Sequence, residues 1–484
     1  MGSRSAELVR RALRGARRVV VLDDDPTGTQ TVRDLPVLTR WTEDDIGWAL
    51  RQDAPGFFVV TNTRSLGPAQ AAAWVREVVS ACQAVAERER VRLAFASRGD
   101  STLRGHYPLE TDAIAELVPV DAVLLCPAYV DAGRVTIGGV HYVRTSGDLL
   151  PVAESEFARD PVFGYRSSRL ADWVEEKTRG RIRAGDVLEL TLDALRGADA
   201  HTDAETDTDA LRDRLAEARD GRVVAVDAVD DDGLRAVVLG VLAAEAAGSR
   251  FVYRVGPSFV RARVGQEAPP PLDDALLAAL VRPGGHGLVV VGSHVGQTNR
   301  QLARLAERRR FVGVELDARK VVIDTASADD VEATGHIRAL AATAIAALGD
   351  SLVVLSTSRT PVTGADETTS LDIARRVSVA LTQVVGEIVA ARRPSFVVAK
   401  GGITSADLAT KALGIDRAWV RGSLLPGIVS LWQAASGPPP RPTSTSACGP
   451  TWTACARCLS TSGGTTRRRS SSSPARWRCS AATR

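Results

Sequence analysis

Short apolar runs alternate along the first half of the chain with longer segments whose apolar residues recur at helical spacing. The apolar runs are 18–22, 56–61, 91–97 and 122–126, and each ends in a polar turn. Between the second and third runs, residues 68–90 carry apolar side chains at helical spacing, among them Trp74 and Val78. Strands that alternate with helices favour βαβ units, so the pattern predicts a wound, mainly parallel sheet.

The second half of the chain resumes this alternation after a proline-rich stretch, Pro269 to Pro271, which stiffens the connection. Strands are predicted at 287–291, 351–356 and 395–399, and helices at 300–309, 370–392 and 406–413. We therefore expect an α/β protein of two domains, each a mainly parallel sheet flanked by helices, with a cleft between them. The predicted divisions are an extension at 1–17, domains at 18–264 and 285–437, and a linker at 265–284.

The turn after the first predicted strand concentrates acidic side chains. Asp23, Asp24 and Asp25 follow the apolar run directly and lead into a Pro-Thr-Gly turn. In open parallel sheets the ligand crevice lies outside the carboxyl ends of the strands, so Asp24 and Asp25 are candidate site residues. The alternative is a solvated acidic turn with no role in binding.

The next strand ends carry arginine, hydroxyl and carboxylate side chains. Arg64 follows the second strand, and Asp100, Ser101 and Arg104 follow the third. Guanidinium groups pair with a carboxylate, while Asp, Ser and Thr hold hydroxyl groups, so this set suits a small polyhydroxylated acid. The loop after the fourth strand, at 127–134, has the same character. One such loop alone is commonly a hydrated turn, but three in succession predict a polar pocket.

Two turns in the second domain have the composition of phosphate-binding loops. The strand at 287–291 opens into a small-residue turn that contains Ser293, and the strand at 395–399 leads into Lys400, Gly401 and Gly402. A helix N-terminus offers free N–H groups to a phosphate, and glycine lets the backbone approach it closely. The residue order is not that of a Walker A loop. The alternative is that these turns only cap helices and that Lys400 is a solvated charge.

Length and composition restrict the class of protein. The chain has 484 residues, of which 44% are hydrophobic and 25% charged, values typical of a soluble globular protein with more than one domain. No apolar run approaches the roughly 18 residues that span a bilayer, and no secretory signal follows the arginine-rich N-terminus. We therefore expect a cytoplasmic protein without a membrane partner.

The segment 438–484 differs in composition from the rest of the chain. It contains eight arginines and four of the six cysteines, but no Asp, Glu, Lys, Val or Ile. This amino-acid composition is typical of GC-rich DNA that is translated out of frame, so we interpret the segment as frameshifted and disordered. Without its arginines, 53 basic and 58 acidic residues leave a net charge of −5, so a nucleic-acid partner loses its support. Cys455 and Cys458 lack a second ligand pair, and no metal site is predicted.

Four motifs in the chain resemble those of the four-carbon acid sugar kinase family, in the same order. They are Asp-Asp-Pro-Thr-Gly at 24–28, Asp-Ser-Thr-Leu-Arg-Gly at 100–105, the segment 132–142 that includes His141, and Lys-Gly-Gly-Ile-Thr-Ser at 400–405. The resemblance extends from about residue 19 to 432. It implies an ATP-dependent kinase of sugar acids such as threonate, erythronate or a 2- or 3-oxo-tetronate, with an N-terminal substrate domain and a C-terminal nucleotide domain.

The resemblance also implies a nucleotide site. The family's ATP-binding residues match Ser293, Gly401, Gly402, Ile403 and Thr404, and Lys400 is a further candidate for the phosphates. Mg²⁺ is implied by ATP chemistry in general and by no ligand cluster in the sequence.

Transfer of a phosphoryl group requires a base near the acceptor hydroxyl and groups that orient the acceptor. Asp24 and Asp25 are the first candidates for the base, and Asp100 is the second. The predicted ligands of the sugar acid are Arg64, Ser101, Arg104 and His141.

The chain departs from the family after Trp432, where members continue into a final strand and a glycine-rich loop at the nucleotide site. We expect the nucleotide domain to lack this strand and to bind ATP weakly. Two alternatives stay open: a sugar-acid-binding protein with impaired catalysis, and an NAD-dependent hydroxy-acid dehydrogenase. The second is disfavoured because no Gly-x-Gly-x-x-Gly turn follows a strand. The sequence specifies neither the acid nor the oligomeric state, so a homodimer stays open.

Overall fold

Mainly parallel strands flanked by helices form an α/β structure. The computed structural model describes residues 5–145, 147–192, 204–281, 285–292, 296–322, 331–359, 362, 364, 367–400, 402–425, 428–435 and 451–455. The strands are β1 Arg18–Asp23, β2 Leu35–Leu38, β3 Gly56–Val60, β4 Leu93–Arg98, β5 Ala122–Cys126, β6 Arg134–Ile137, β7 Val140–Arg144, β8 Leu149–Pro151, β9 Leu188–Leu190, β10 Arg222–Val226, β11 Phe251–Val255, β12 Leu288–Val291, β13 Val312–Leu316, β14 Val353–Thr357, β15 Val397–Lys400, β16 Arg417–Leu425, β17 Ile428–Ala434 and β18 Thr451–Cys455.

Helices connect most of the parallel strands. The α-helices are α1 Ala6–Ala12, α2 Glu43–Leu50, α3 Pro68–Glu89, α4 Leu109–Ala115, α5 Leu170–Lys177, α6 Ala204–Ala216, α7 Asp231–Ala246, α8 Pro257–Arg263, α9 Asp274–Leu280, α10 Gly296–Arg308, α11 Ala318–Val322, α12 Val331–Ala347, α13 Glu367–Ala391 and α14 Gly402–Asp407. None of these described helices is long and apolar enough to cross a membrane. The helix α9 lies within the predicted linker, where the carboxylate of Asp273 accepts a hydrogen bond from the Leu276 N–H at 2.8 Å.

The N-terminal part is the predicted parallel sheet, in the order β2-β3-β1-β4-β11-β5-β10-β9. In β1, Val19 and Val21 pack into one hydrophobic cluster while Val20 and Leu22 pack into another on the opposite face. Because helices cover both faces, the strand is apolar along its whole length. This burial explains why the apolar runs were readable in the sequence as strands.

The C-terminal part repeats the arrangement with parallel strands in the order β13-β14-β12-β15. The long helix α13 buries Val384 and Ile388 completely, which confirms the apolar face expected for residues 370–392. Both α/β parts were therefore predictable from periodicity.

The two parts share one sheet of 15 strands, whereas the sequence predicted two separate sheets. They meet where β16 pairs antiparallel with β2, with Ala418 opposite Val37. Arg417, at the start of β16, is also 2.6 Å from the Asp45 carboxylate of the N-terminal part. Neither strand was predicted. The four residues of β2 include Pro36, a residue type that is rare in strands, and β16 contains no apolar run comparable with those of the parallel strands.

The strand β18 lies between β15 and β17, parallel to the former and antiparallel to the latter. The expectation that no strand follows Trp432, and that 438–484 is disordered throughout, is therefore wrong for Thr451–Cys455. Thr and Trp favour strands, and ladder pairing uses the backbone, so the unusual vocabulary of this segment does not prevent a strand. Residues 438–450 and 456–484 lie outside the described residues.

Candidate active site

The carboxyl ends of β1, β3 and β4 converge at one edge of the sheet. Asp23, the last residue of β1, lies opposite Arg98, the last residue of β4. The Asp24 N–H donates to the Arg98 carbonyl at 3.3 Å, and the Thr61 N–H donates to the Asp23 carbonyl at 3.0 Å. The acidic turn and the two arginine-bearing loops therefore begin side by side, as their strand-end positions predicted.

Arg64 connects the three predicted carboxylates. Its Nη2 lies 2.9 Å from Asp24 Oδ1 and 3.3 Å from Asp25 Oδ2, and its Nη1 lies 3.8 Å from Asp100 Oδ1. Burial alone would lower the pKa of Arg64, but the nearby carboxylates outweigh it and raise the pKa above its usual value. The guanidinium therefore stays cationic at the centre of the site.

Asp24 combines burial with an unused oxygen. The residue is 1% exposed, and within the described part of the chain its Oδ2 has no hydrogen-bond partner, although Oδ1 binds Arg64. Burial raises the pKa of Asp24 to about 7, because the loss of hydration exceeds the attraction of Arg64. A carboxylate with a free oxygen and a pKa near neutrality is suited to accept a proton.

Asp100 has the opposite electrostatic character. Burial alone would raise its pKa, but Arg64 and Arg104 outweigh burial and hold the pKa of Asp100 well below its usual range. Its Oδ2 accepts hydrogen bonds from the Thr102 hydroxyl and, at 2.6 Å, from Arg104 Nε. Asp100 therefore stays ionised and orients Arg104, which disfavours it as the base.

Arg104 reaches across the site from the loop after β4. Its Nη1 is 3.5 Å from Asp160 Oδ2, and its guanidinium lies over the Phe157 ring at 5.1 Å. Arg104 Nη2 and Arg64 Nε are both buried and have no hydrogen-bond partner among the residues that the structure describes. These two groups can donate to an anionic ligand, and the role of both arginines in binding the sugar acid stays a prediction.

His141 has a position different from the one predicted. It is completely buried, with Nε2 at 2.9 Å from the Ser101 carbonyl and Nδ1 at 2.9 Å from the Thr136 hydroxyl. Burial lowers the pKa of His141 to about 4, so the ring is neutral. Since both nitrogens are engaged, His141 holds the Ser101 backbone in place. Ser101 is itself 8% exposed, and its role as a ligand of the sugar acid stays a prediction.

Arg98 was not predicted as a site residue. Its Nη2 contacts the carboxylate of Asp23 and lies 3.4 Å from Asp24 Oδ1. Burial lowers the pKa of Arg98 to about 10, so the side chain is still cationic at neutral pH. The sequence signal that could have identified Arg98 is a charged residue at the end of an otherwise apolar, buried strand.

Arg254 and Glu110 form a second unpredicted pair beneath the site. Arg254 Nη1 donates to Glu110 Oε2 and to the Ser97 hydroxyl, each at 2.7 Å. The other Glu110 oxygen accepts from the Thr63 hydroxyl at 2.5 Å. An arginine inside the apolar strand β11 is the sequence signal for such a pair, because a buried charge requires a partner.

Gly105 gives the loop after β4 room to pass close to Asp24. Its φ of +119° is one that residues with a side chain rarely adopt. A Cβ at this position would lie 3.0 Å from both Asp24 Oδ2 and Arg254 Nη2. Glycine is therefore required both for the turn and for the space beside the unused Asp24 oxygen.

The two predicted phosphate-binding turns begin next to each other. Adjacent strands β12 and β15 end together, and the Gly292 N–H donates to the Lys400 carbonyl at 3.2 Å. Ser293 and Gly401 lie outside the described residues. The following residues, Gly402, Ile403 and Thr404, form the beginning of α14.

The helix α14 packs against the turn that follows the acidic residues. Its Cα atoms approach within 8 Å of the 3₁₀ helix Pro26–Thr31. Asp25 caps that 3₁₀ helix, because its Oδ1 accepts a hydrogen bond from the Thr27 N–H at 2.9 Å. The fold thus brings the predicted nucleotide helix and the Asp24–Asp25 turn together.

The carboxylates of the site do not fit a resident metal ion. In the part of the chain that the structure describes, no group of three or more His, Cys, Asp or Glu residues could hold one. Asp24, Asp25 and Asp100 are each paired with Arg64, whose positive charge disfavours a nearby cation. We therefore assign no residue to Mg²⁺.

Comparison with known proteins defines the class to which this site belongs. Residues 19–263 match the family description of a sugar-binding N-terminal domain, and residues 288–445 match that of a nucleotide-binding C-terminal domain. A 3-oxo-tetronate kinase of Brucella melitensis biotype 1 is 27% identical over 353 residues, which cover 71% of this chain and 72% of the relative.

Two further relatives are a D-erythronate kinase of Heliobacterium modesticaldum and a D-threonate kinase of Cupriavidus necator. The first is 25% identical over 331 residues, which cover 65% of this chain and 66% of the relative. The second is 27% identical over 305 residues, which cover 61% and 59%. The chain belongs to the four-carbon acid sugar kinase family, as its motifs predicted.

Solved structures show the same fold. A Salmonella typhimurium LT2 protein superposes with a TM-score of 0.63 at 16% identity, covering 90% of this chain and 95% of the other. A Haemophilus influenzae protein of the DUF1537 family superposes with a TM-score of 0.56 at 17% identity and the same coverage. These similarities extend over both α/β parts of the chain.

Proposed function

We propose that this protein is an ATP-dependent kinase that phosphorylates a hydroxyl group of a four-carbon sugar acid. Threonate, erythronate and the 2- and 3-oxo-tetronates are the proposed substrates, and the names of the relatives support this class. The observation that supports the proposal is the approach of α14, the candidate nucleotide helix, to the 3₁₀ helix Pro26–Thr31, which follows the Asp24–Asp25 pair in the chain. ATP is abundant in the cytoplasm, where we propose that the enzyme works.

Two arginines hold the carboxylate of the sugar acid in this proposal. The unpartnered Arg104 Nη2 and Arg64 Nε are donors for that carboxylate. A charge-assisted hydrogen bond to a guanidinium is stronger than one to a neutral group, so the acid is bound in preference to the neutral sugar. Ser101 lies in the same loop and is the proposed partner of a substrate hydroxyl.

Asp24 is the proposed base. Its Oδ2 accepts the proton of the substrate hydroxyl as that hydroxyl attacks the transferred phosphoryl group. Asp25 remains bound to Arg64 and caps the 3₁₀ helix, so its role is to position the turn.

The turns at Ser293 and at Lys400 to Thr404 are the proposed ATP site. ATP supplies the phosphoryl group, and Mg²⁺ enters this proposal only as the usual companion of ATP. The chain contributes backbone N–H groups at the start of α14 and the cation of Lys400, which offset phosphate charge.

A panel assay tests the proposed function. Purified protein is supplied with ATP, Mg²⁺ and, in turn, D-threonate, L-threonate, D-erythronate and a 3-oxo-tetronate, and ADP release is measured against a control without acid. We expect acid-dependent ADP release with at least one member. Tight binding of an acid without ADP release would identify the alternative, a sugar-acid-binding protein. Reduction of NAD with a hydroxy acid, without ADP release, would identify the dehydrogenase.

A further inference from the structure

Thr29 makes a buried contact between the two parts of the molecule. Its Oγ1 accepts a hydrogen bond from Trp432 Nε1 at 2.9 Å and lies 2.9 Å from Ser430 Oγ. All three side chains are at most 2% exposed. We call this group of Thr29, Ser430 and Trp432 the interdomain latch.

The N-terminal end of the latch is close to the proposed base. Thr29 belongs to the 3₁₀ helix Pro26–Thr31, which Asp25 caps and which begins two residues after Asp24. A displacement of this short helix therefore moves the backbone that carries both acids.

The C-terminal end of the latch is continuous with the proposed nucleotide site. Ser430 and Trp432 lie on β17, which pairs through Leu431 and Thr453 with β18. In turn, β18 pairs with β15, where Cys455 lies opposite Lys400. Two strand spacings amount to about 10 Å, so β17, which carries the latch, and β15, which ends at Lys400, are separated in the sheet only by β18.

We propose that Thr29 is a positioning residue whose hydroxyl lets the nucleotide-binding part hold the Asp24–Asp25 turn in place for phosphoryl transfer. This inference rests on the proposed function. Because Ser430 and Trp432 engage the Thr29 hydroxyl, we assign it no direct contact with either substrate. Its effect is on the alignment of acceptor and phosphoryl group, to which rate is far more sensitive than binding.

A pair of matched variants isolates this effect. Thr29→Val keeps the shape of the side chain and removes the hydroxyl. Thr31→Val does the same in the same 3₁₀ helix, where the Thr31 hydroxyl donates to the Pro257 carbonyl at 2.9 Å within the N-terminal part. Thr29→Ser retains the hydroxyl, and Trp432→Phe removes the indole N–H that donates to it.

We expect Thr29→Val to lower kcat by about 10- to 100-fold while the Kd for the sugar acid changes less than about twofold. Thr29→Ser should recover most of the rate, and Thr31→Val should keep kcat within about twofold. The double variant with Trp432→Phe should be no slower than Thr29→Val alone, because both changes remove one interaction. Equal losses of kcat in Thr29→Val and Thr31→Val, or an unchanged kcat in Thr29→Val, would overturn the proposal.

A measurement independent of turnover separates this proposal from the proposed function. The indole ¹⁵N–¹H signal of Trp432, assigned with Trp432→Phe, should shift when D-erythronate is added to the wild type and to Thr31→Val, but not to Thr29→Val. If the wild type releases no ADP with any sugar acid, the proposed kinase function fails, and this shift still decides the latch. Its absence from the wild type overturns the latch even where turnover is measured.

Discussion

Two aspartates that share one arginine have opposite properties. Arg64 contacts both Asp24 and Asp100, yet burial raises the pKa of Asp24 to about 7 while the pKa of Asp100 lies well below its usual range. The difference arises because Asp100 is also paired with Arg104 at 2.6 Å, whereas Asp24 keeps one oxygen unpartnered. The same type of side chain thus provides a proton acceptor at Asp24 and a permanently ionised carboxylate at Asp100.

The proposed role of Asp24 as the base predicts the pH dependence of catalysis. The base acts when ionised, and a raised pKa keeps it protonated until the pH approaches 7, so kcat/KM should fall as pH decreases below about 7.

Substitution separates the roles of the two aspartates. Asp24→Asn should reduce kcat by about 10² to 10⁴-fold. Asp100→Asn should instead raise KM, because Arg104 loses its support, and should keep the acidic limb of the profile. An initial-rate profile from pH 5 to 9 tests this, and a wild-type rate that is flat below pH 7 would contradict it.

Gly105 can be tested with a matched glycine elsewhere. Gly105 and Gly248 both have φ above +100°, but a Cβ on Gly248 would meet no atom within 4 Å. Each alanine variant should lose about 1 kcal/mol or more of unfolding free energy, because alanine is strained at positive φ. Only Gly105→Ala should also weaken sugar-acid binding, since its Cβ crowds Asp24 Oδ2. Unfolding curves and calorimetric titration measure the two effects, and equal acid affinities for both variants would contradict this account.

At the scale of the element, β11 illustrates how a buried strand supports the site. Tyr253 and Val255 face one hydrophobic cluster, while Val252 and Arg254 face the other side of the sheet. The charge of Arg254 is tolerated there because Glu110 and Ser97 satisfy it. The element therefore carries a polar network beneath the acidic turn without interrupting the core.

Arg254→Met tests the energetic weight of this network. The variant leaves Glu110 buried without its cation, so the unfolding free energy should fall by about 3–5 kcal/mol. Arg250→Met is the control, because Arg250 immediately precedes the same strand but pairs with Asp121 at the surface, with 43% of its side chain exposed. That change should cost no more than about 1 kcal/mol. Urea unfolding of both variants decides, and similar losses would contradict the prediction.

At the scale of the whole molecule, the continuity of the sheet depends on a strand from the segment of unusual composition. Without β18, the edges of β15 and β17 would both be unpaired, and β15 carries Lys400 at its end. Open edges expose backbone hydrogen-bonding groups and promote association with other chains. The five residues of β18 therefore support the proposed ATP site indirectly.

Two truncations test this contribution. A chain that stops after Gly437 should bind ATP more weakly than the full chain and should aggregate more readily, because both edges are then open. A chain that stops after Cys455 keeps β18 and should match the full chain in both respects. ATP titration and light scattering provide the measurements, and equal ATP affinity of all three chains would show that β18 plays no part. A chain with the family's reading frame after Gly437 is expected to bind ATP more tightly than any of them.

Much of the architecture was predictable because it depends on local sequence. The apolar runs of β1, β3 and β4 are buried on both faces, so their composition alone marked them as strands. Their polar turns could be placed at one edge because parallel strands end together. By contrast, β2 and β16 pair with each other although they lie about 380 residues apart in the chain, and the local sequence of neither strand identifies its partner.

The sequence by itself determined which segments become strands and helices, which polar turns end the strands, and the family whose motifs those turns carry. Only the tertiary structure decided that His141 supports the backbone of Ser101, that Asp24 and Asp100 differ in pKa, and that α14 packs against the acidic turn. The physical reason is the separation along the chain over which each effect acts. Propensity and periodicity act between near neighbours in the chain, whereas burial and electrostatic interaction depend on distances of a few ångströms between residues that folding brings together.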